Sequence, residues 1–239
     1  MDSILEEIEF LVEEFGTKEL QILDDNFSFS WDHAYAVSQG ILDRHLVLSW
    51  TLPNGIRADR VDKVLLRKMK EAGCYYFGIG IESGSSRMLE IIGKNLSLED
   101  VKRTTRDASR LGYITQGFFM VGHPEETSED RKATQRFARS LPIDRASLLP
   151  MIPFPGTGLF RDYCENGLDP SVVDWTKMHW LGFVPRTITK KGLRSYLRWF
   201  YLGFYLNPVR LFRHLTKIRT FSEVKGLFKG LIVLLRVAK

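Results

Sequence analysis

Five short apolar runs, each followed by a segment of helical periodicity, limit this chain to a few architectures. The runs are "LQIL" (20–23), "LVLSW" (46–50), "CYYFGIGIE" (74–82), "YITQGFFMVG" (113–122) and "RASLLPMIPF" (145–154). None alternates strictly between apolar and polar residues, as a sheet with one wet face requires. Unalternating strands are buried on both faces, and parallel sheets achieve this by covering each face with helices. Strand then helix, repeated five times, predicts an α/β fold: a (β/α) barrel or a doubly wound sheet, with the barrel preferred. In either architecture ligands bind at the carboxyl ends of the strands.

The helical segments carry their own end signals. In "DSILEEIEFLVEEF", Ile4, Leu5, Ile8, Leu11, Val12 and Phe15 recur at helical spacing, and Gly16 is the stop. Ser30 or Asp32 starts the next helix, and Gly73 ends the third. Ser97 and Asp100 stand at the two positions of a capping box, with Asp where Glu would reach further. Thr127 or Ser128 caps the helix before the last strand.

At 239 residues the chain can bury one good core with a small appendage. Its charge is uneven. Residues 186–239 hold 13 Lys and Arg against one acid, Glu223, whereas the other 185 residues hold 21 against 28. An acidic body joined to a basic tail suggests modules with different partners. The two cysteines, Cys74 and Cys164, are too few and too far apart for a disulfide framework or a cysteine-built metal site. A reducing compartment fits best. The acidic start "MDSILEEIEF" does not resemble a signal peptide. The longest apolar run, Trp199–Leu206, is far short of the roughly 18 residues of a membrane span.

The five strand ends read "DDNF", "TLPNGIR", "GIESGSS", "GHPEET" and "FPGT". Taken singly, glycine and proline here are turn residues and the acids are helix caps. Taken together they form a polar, glycine-rich rim offering backbone N–H groups and carboxylates to a ligand with hydroxyls and an amine. "GIGIESGSS" lacks the full spacing of a dinucleotide loop, and no GK[ST] follows.

In this order and spacing, "ILDDNF", "MKEAGCYYFGIGIESGSSRMLEIIGK", "GFFMVGHPEET" and "PFPGT" resemble a radical S-adenosylmethionine (SAM) enzyme. More narrowly, they resemble the branch that usually carries an N-terminal cobalamin-binding domain. The resemblance implies a partial (β/α) barrel over residues 1–165, its first strand missing, and a helical, basic, aromatic-rich extension over 166–239. It implies three cofactors: SAM, a [4Fe-4S] cluster held by a C-x-x-x-C-x-x-C loop, and cobalamin. No such cysteine triplet is present, and iron–sulfur clusters are held by thiolates. Cys74 is read as a buried core thiol and Cys164 as a structural or surface thiol, and no metal ligand or catalytic residue is assigned. The implied product is part of a radical SAM methyltransferase or oxidoreductase, inactive alone, with a missing N-terminal half or a partner chain. A non-catalytic SAM-like ligand-binding remnant and an RNA-modifying relative are the alternatives.

Residue roles follow by the same resemblance. Asp24 and Asp25 stand where the family binds the SAM ammonium; one faces the ligand, with Asp25 preferred, and the other caps the following helix or orients the loop. Glu82, with Ser83 beside it, stands where the ribose or amino-acid end is contacted. Arg57 pairs with a carboxylate of SAM or substrate, or faces solvent. Gly122 and Glu126 match the motif bordering the adenine, although Glu125 replaces a usual glycine. Pro155 and Gly156 shape the adenine edge. His123 reads as a solvated loop histidine. The substrate is expected to be a small or lipid-like molecule in the cytoplasm. Residues 190–239, where aromatics and leucines alternate with Lys and Arg, are either a helical cap that packs its apolar face on the barrel and leaves its basic face in water, or a contact for the inner membrane face. Nucleic acid is disfavoured.

Overall fold

A computed structural model describes residues 2–167, 169, 171, 184–208 and 210. The elements in chain order are α1 (Asp2–Phe15), β1 (Glu19–Gln21), α2 (Trp31–Asp43), β2 (Ser49–Ile56), a single 3-10 turn (Ala58–Arg60), α3 (Lys63–Glu71) and β3 (Cys74–Glu82). Then come α4 (Ser86–Ile91), α5 (Leu98–Arg110), β4 (Ile114–Val121), α6 (Ser128–Ser140), β5 (Arg145–Pro150), α7 (Gly158–Glu165) and α8 (Lys190–Tyr205).

The strand order is β1-β2-β3-β4-β5, which is the chain order. β1 runs parallel to β2, and β2 to β3. At β4 and β5, Asp144 donates to Thr115 at one end and Met151 to Val121 at the other, which is also parallel. A doubly wound sheet reverses its strand order at a switch point. Here the order never reverses, so the sheet is of the barrel type, an open one of five strands.

The alternation of the sequence is realised with shifted strand ends: β1 stops at Gln21 and β5 at Pro150, short of the expected Leu23 and Phe154, and β2 departs furthest. β2 was expected at 46–50 with "TLPNGIR" as the loop behind it; the strand instead runs on through Pro53 to Ile56. Its pairing with β3 jumps from Leu52 opposite Phe77 to Ile56 opposite Ile79, so Pro53, Asn54 and Gly55 form a bulge. A bulge tolerates proline because its residues are excused from the ladder.

Compactness divides the chain into two units. The first comprises residues 1–82, 89–118 and 140–147. Its core holds Trp50, Leu52, Leu65, Leu66, Met69, Phe77, Ile79 and Tyr113, all almost fully buried. The Trp50 Nε1 donates to the Ala72 carbonyl at 2.7 Å, so a large apolar side chain is buried without stranding its polar atom. α1 contributes Leu5 and Ile8 to burial, while Phe10 and Phe15 of the same helix stay exposed.

The second unit comprises residues 83–88, 119–139 and 148–239. Phe119, Phe200 and Phe204 are almost fully buried there, with Phe119 edge-on to Phe200 at 5.6 Å. The Tyr201 hydroxyl accepts from the Leu148 N–H, and the Tyr196 hydroxyl donates to the Arg131 carbonyl. The C-terminal part of the basic tail, 211–239, lies outside the described residues. No helix of the described residues is long and apolar enough to cross a membrane.

Candidate functional site

In the first unit, the carboxyl ends of β1, β2 and β3 open onto a cleft of about 180 Å³ lined by Asp25, Asn26, Asn54, Gly55, Ile56, Arg57, Gly80, Glu82 and Lys94. Of the residues singled out in the sequence, three from three different strand ends meet here: Asp25, Arg57 and Glu82.

The loop after β1 is fixed by its neighbours. The Asn54 side chain donates to the Leu23 carbonyl at 2.9 Å, tying the β2 bulge to this loop. The Ser28 hydroxyl, itself buried, accepts from the Arg57 N–H at 2.9 Å and donates to Asn26 Oδ1 at 3.1 Å. The cap of α2 is Ser30, which accepts from the His33 N–H. Ser30, one of the two expected starts, is thus the cap, and of the two roles expected for the second aspartate, capping this helix is corrected. Asp25 reaches the cleft, its carboxylate without a hydrogen-bond partner among the described residues, and Asp24 is exposed outside the lining.

Arg57 is held rather than free. Its Nε and Nη2 grip the two Asp59 oxygens at 3.0 and 2.9 Å, and Nη2 also donates to the Asn95 carbonyl at 3.0 Å. The Asp59 hydrogen bond raises the Arg57 pKa against the opposing effect of burial. For Asp59, burial alone would raise the pKa; the Arg57 hydrogen bond and charge outweigh it and hold the carboxyl below its usual range. Such a two-point clasp fixes a guanidinium in one plane and leaves its remaining N–H groups available.

Glu82 ends β3 with a φ of 63°, in the left-handed region that non-glycine residues rarely occupy. Its carboxylate accepts from Lys94 Nζ at 2.6 Å. Gly80 makes space for this pair: a Cβ there would lie 2.8 Å from Lys94 Nζ and 2.9 Å from Glu82 Oε1. At Gly55, with φ of 104°, a Cβ would stand 3.0 Å from the Gly78 carbonyl oxygen, so β2 and β3 approach closely only with glycine.

The remaining candidates lie in the second unit. Ser83 is buried; its hydroxyl shares a hydrogen bond with Thr134 and accepts from the Ser85 N–H. Glu126 is buried and accepts from the Gly122 N–H at 2.8 Å, with Arg131 at 3.5 Å. Burial pushes its pKa up, against the Gly122 hydrogen bond and the Arg131 charge. Gly122 has a φ of 97°, and a Cβ there would meet Pro185 Cγ at 2.2 Å. Pro155 and Gly156 are the central residues of a turn from Phe154 to Thr157, with Gly156 at φ 88° and the Thr157 N–H bonded to the Phe154 carbonyl, the pattern of a type II turn. His123 is half-buried; burial lowers its pKa, and its Nδ1 accepts from the Glu125 N–H.

Lys94, Asn26, Asn54 and Gly80 were missed in the sequence. Lys94 follows Gly93, whose φ of 67° ends the helical turn after α4. A glycine at a helix end followed at once by a lone cation was the available signal.

The cleft thus gathers two carboxylates, an ammonium, a clasped guanidinium, two amides and glycine backbone. It can bind a small polar ligand carrying an ammonium, a carboxylate and hydroxyls. It does not fit an iron–sulfur cluster, which requires thiolates. The chain has two cysteines, and neither lies in the cleft lining. Cys74 opens β3 at the end opposite Glu82, about 26 Å away along a strand of ordinary rise. It is buried, and burial pushes its thiol well above the ordinary value. Cys164 lies in α7. Among the described residues no three His, Cys, Asp or Glu side chains cluster to hold a metal ion.

Comparison with known proteins follows the same lines. The chain is 32% identical over 234 residues to an uncharacterized methyltransferase of Pyrococcus horikoshii, covering 97% of this chain and 50% of that protein. It is 32% identical over 178 residues to the cytidylyl-2-hydroxyethylphosphonate methyltransferase of Streptomyces wedmorensis, covering 71% of this chain and 33% of that protein. The chain therefore spans about half or less of the length of these relatives. The radical S-adenosylmethionine methyltransferase TsrM of Kitasatospora setae, solved with cobalamin and a [4Fe-4S] cluster bound, shares the fold: the TM-score is 0.62 at 22% identity, over 69% of this chain and 33% of that one. The model of the Radical SAM superfamily matches residues 1–138, more than half of the sequence, and the chain belongs to that superfamily.

Proposed function

We propose that this chain is the SAM-binding part of a cobalamin-dependent radical SAM methyltransferase. The observation that carries the reading is the convergence of Asp25, Arg57 and Glu82 from three successive strand ends into one cleft. SAM brings an ammonium, a carboxylate and two ribose hydroxyls. An unpartnered Asp25 suits the ammonium, Glu82 can accept from hydroxyls, and Arg57 and Lys94 suit the carboxylate. The methyltransferase names of the relatives and the cobalamin in the structural neighbour support the reaction class. In this reading the substrate is a small or lipid-like molecule, and the reaction is cytoplasmic.

SAM, a [4Fe-4S] cluster and cobalamin are the cofactors of this branch. Three cluster thiolates have no counterpart among two cysteines, so in this reading they come from polypeptide outside this sequence. This chain's own part is to hold and orient SAM, and it does not cleave SAM alone.

Two measurements test the proposal. Calorimetric titration of the purified chain with SAM should give saturable binding that weakens in Asp25→Asn. Reconstitution with iron and sulfide should yield neither cluster absorbance nor 5′-deoxyadenosine. Absence of SAM binding would refute the binding role; 5′-deoxyadenosine formation would refute the dependence on outside thiolates.

A further inference from the structure

We propose that the solvent-facing stripe of α8 is a docking surface for an anionic lipid bilayer. One face of the helix is committed: Leu193, Leu197, Phe200 and Phe204 are buried. The opposite stripe carries Lys191, Arg194, Arg198 and Trp199, all exposed, and ends at the exposed Leu206. Positions 191, 194, 195, 198, 199, 202 and 206 recur at three- and four-residue steps, which places them along one side of a helix.

Charge and shape both point to lipid. No acidic residue occurs between 186 and 222, and none of Lys190, Lys191, Arg194 or Arg198 is joined to an acid among the described residues. Trp199 is 58% exposed in the midst of these cations, with the Arg198 guanidinium 6.0 Å from its ring centroid. An indole has an apolar body and a polar N–H, which suits the headgroup level of a bilayer. Lys and Arg beside it attract anionic headgroups. Leu202 and Leu206 extend the stripe with aliphatic groups, which gain from a bilayer but offer no stacking face to a nucleic-acid base. Because the other apolar face is already buried, the contact is shallow and depends on headgroup charge. The inference is independent of the SAM-binding reading.

The test is co-sedimentation of the full chain with vesicles of phosphatidylcholine containing phosphatidylglycerol, against vesicles of phosphatidylcholine alone. Binding is expected to the first and not the second, and to fall as salt is raised. Each cation removed should weaken it about fivefold, so Arg194→Ala with Arg198→Ala should weaken it about 25-fold. The tryptophan emission should shift to the blue on binding, and the part due to Trp199 should vanish in Trp199→Phe. These side chains are exposed, so an unchanged circular dichroism spectrum checks the fold of each variant. The proposal is overturned by equal binding to neutral vesicles, by no binding, by full binding of the double variant, or by single-stranded RNA binding the stripe more tightly at the same salt.

Discussion

The Lys94 ammonium donates to the Glu82 carboxylate at 2.6 Å, and Glu82 makes this contact from a left-handed backbone, φ 63°. That conformation costs a non-glycine residue roughly 1–2 kcal/mol. Both side chains are about one-fifth exposed, at 20% and 21%, and desolvating two largely buried charges offsets most of their attraction. The pair therefore contributes little or nothing net to folding. Backbone strain clusters at binding and catalytic sites, which makes Glu82 the rim position to test first.

Glu82→Gln should weaken SAM binding about tenfold or more, since a hydrogen bond to a charged acceptor is worth about 1.5–3 kcal/mol; it also leaves the largely buried Lys94 ammonium without its counter-charge, so the thermal midpoint should fall by several degrees. Titration calorimetry with SAM and a melting curve on the same sample check both halves. Unchanged affinity would remove Glu82 from the site.

Asp130→Asn should destabilise the chain by about 1.5–3 kcal/mol in urea, the worth of hydrogen bonds to a buried charged acceptor whose Arg87 partner is half exposed. The Asp130 carboxylate is buried and accepts from Ser85, from Arg87 and from the hydroxyl and N–H of Thr127. The Arg87 hydrogen bond, assisted by Ser85 and Thr127 and opposed by burial, holds its pKa far below the usual range. A folded-state pKa depressed in this way stabilises above the unfolded carboxylate value and loses that stability as pH falls below it. The gap between wild type and variant should therefore be full at neutral pH and shrink below about pH 4.

Glu126 should show the opposite sign. Burial raises its folded pKa, so the folded state binds the proton more tightly than the unfolded chain does. Its contribution is greatest below the ordinary glutamate value, about 4.3, and declines as pH rises through the raised value. In Glu126→Gln, which keeps an acceptor for the Gly122 N–H, this decline should be absent. Melting temperatures across the acid range, compared with wild type, check it.

Gly122→Ala should cost about 2 kcal/mol or more. The new Cβ would stand 2.2 Å from Pro185 Cγ, and the φ of 97° is unfavourable to any side chain. The lowered urea midpoint should come with an unchanged SAM affinity, because Gly122 is not part of the cleft lining.

Much of the fold was legible because its signals are local. Ser97 accepts from the Asp100 N–H at 3.0 Å, as its spacing implied. The reciprocal bond runs from the Ser97 hydroxyl to Asp100, not from the backbone, since aspartate is one methylene shorter than glutamate. Thr127, and not Ser128, caps α6. "PNG" after Trp50 looked like a turn because proline and glycine usually are one; only the pairing partners of β2 turned it into a bulge.

The lining of the cleft was legible in part. Asp25, Arg57 and Glu82 were marked by their place after strands, and the cleft brings them together. Lys94 escaped notice because its reach to Glu82, 12 residues back, depends on the length of α4 and the turn at Gly93. Ser83 and Glu126 carry the same kind of strand-end signal but are spent on Thr134 and on the Gly122 N–H.

The sequence by itself determined the strand–helix alternation, the rim at the carboxyl ends, and a thiol count too small for an iron–sulfur cluster. These rest on residue type and short-range periodicity, which each segment carries alone. The tertiary structure decided the unreversed strand order, and which polar rim residues face the cleft and which satisfy one another. That choice depends on groups far apart in the chain: a buried polar atom must find a partner, and only the folded positions of Thr134, Gly122, Asp59 and Lys94 say which atoms are left for a ligand.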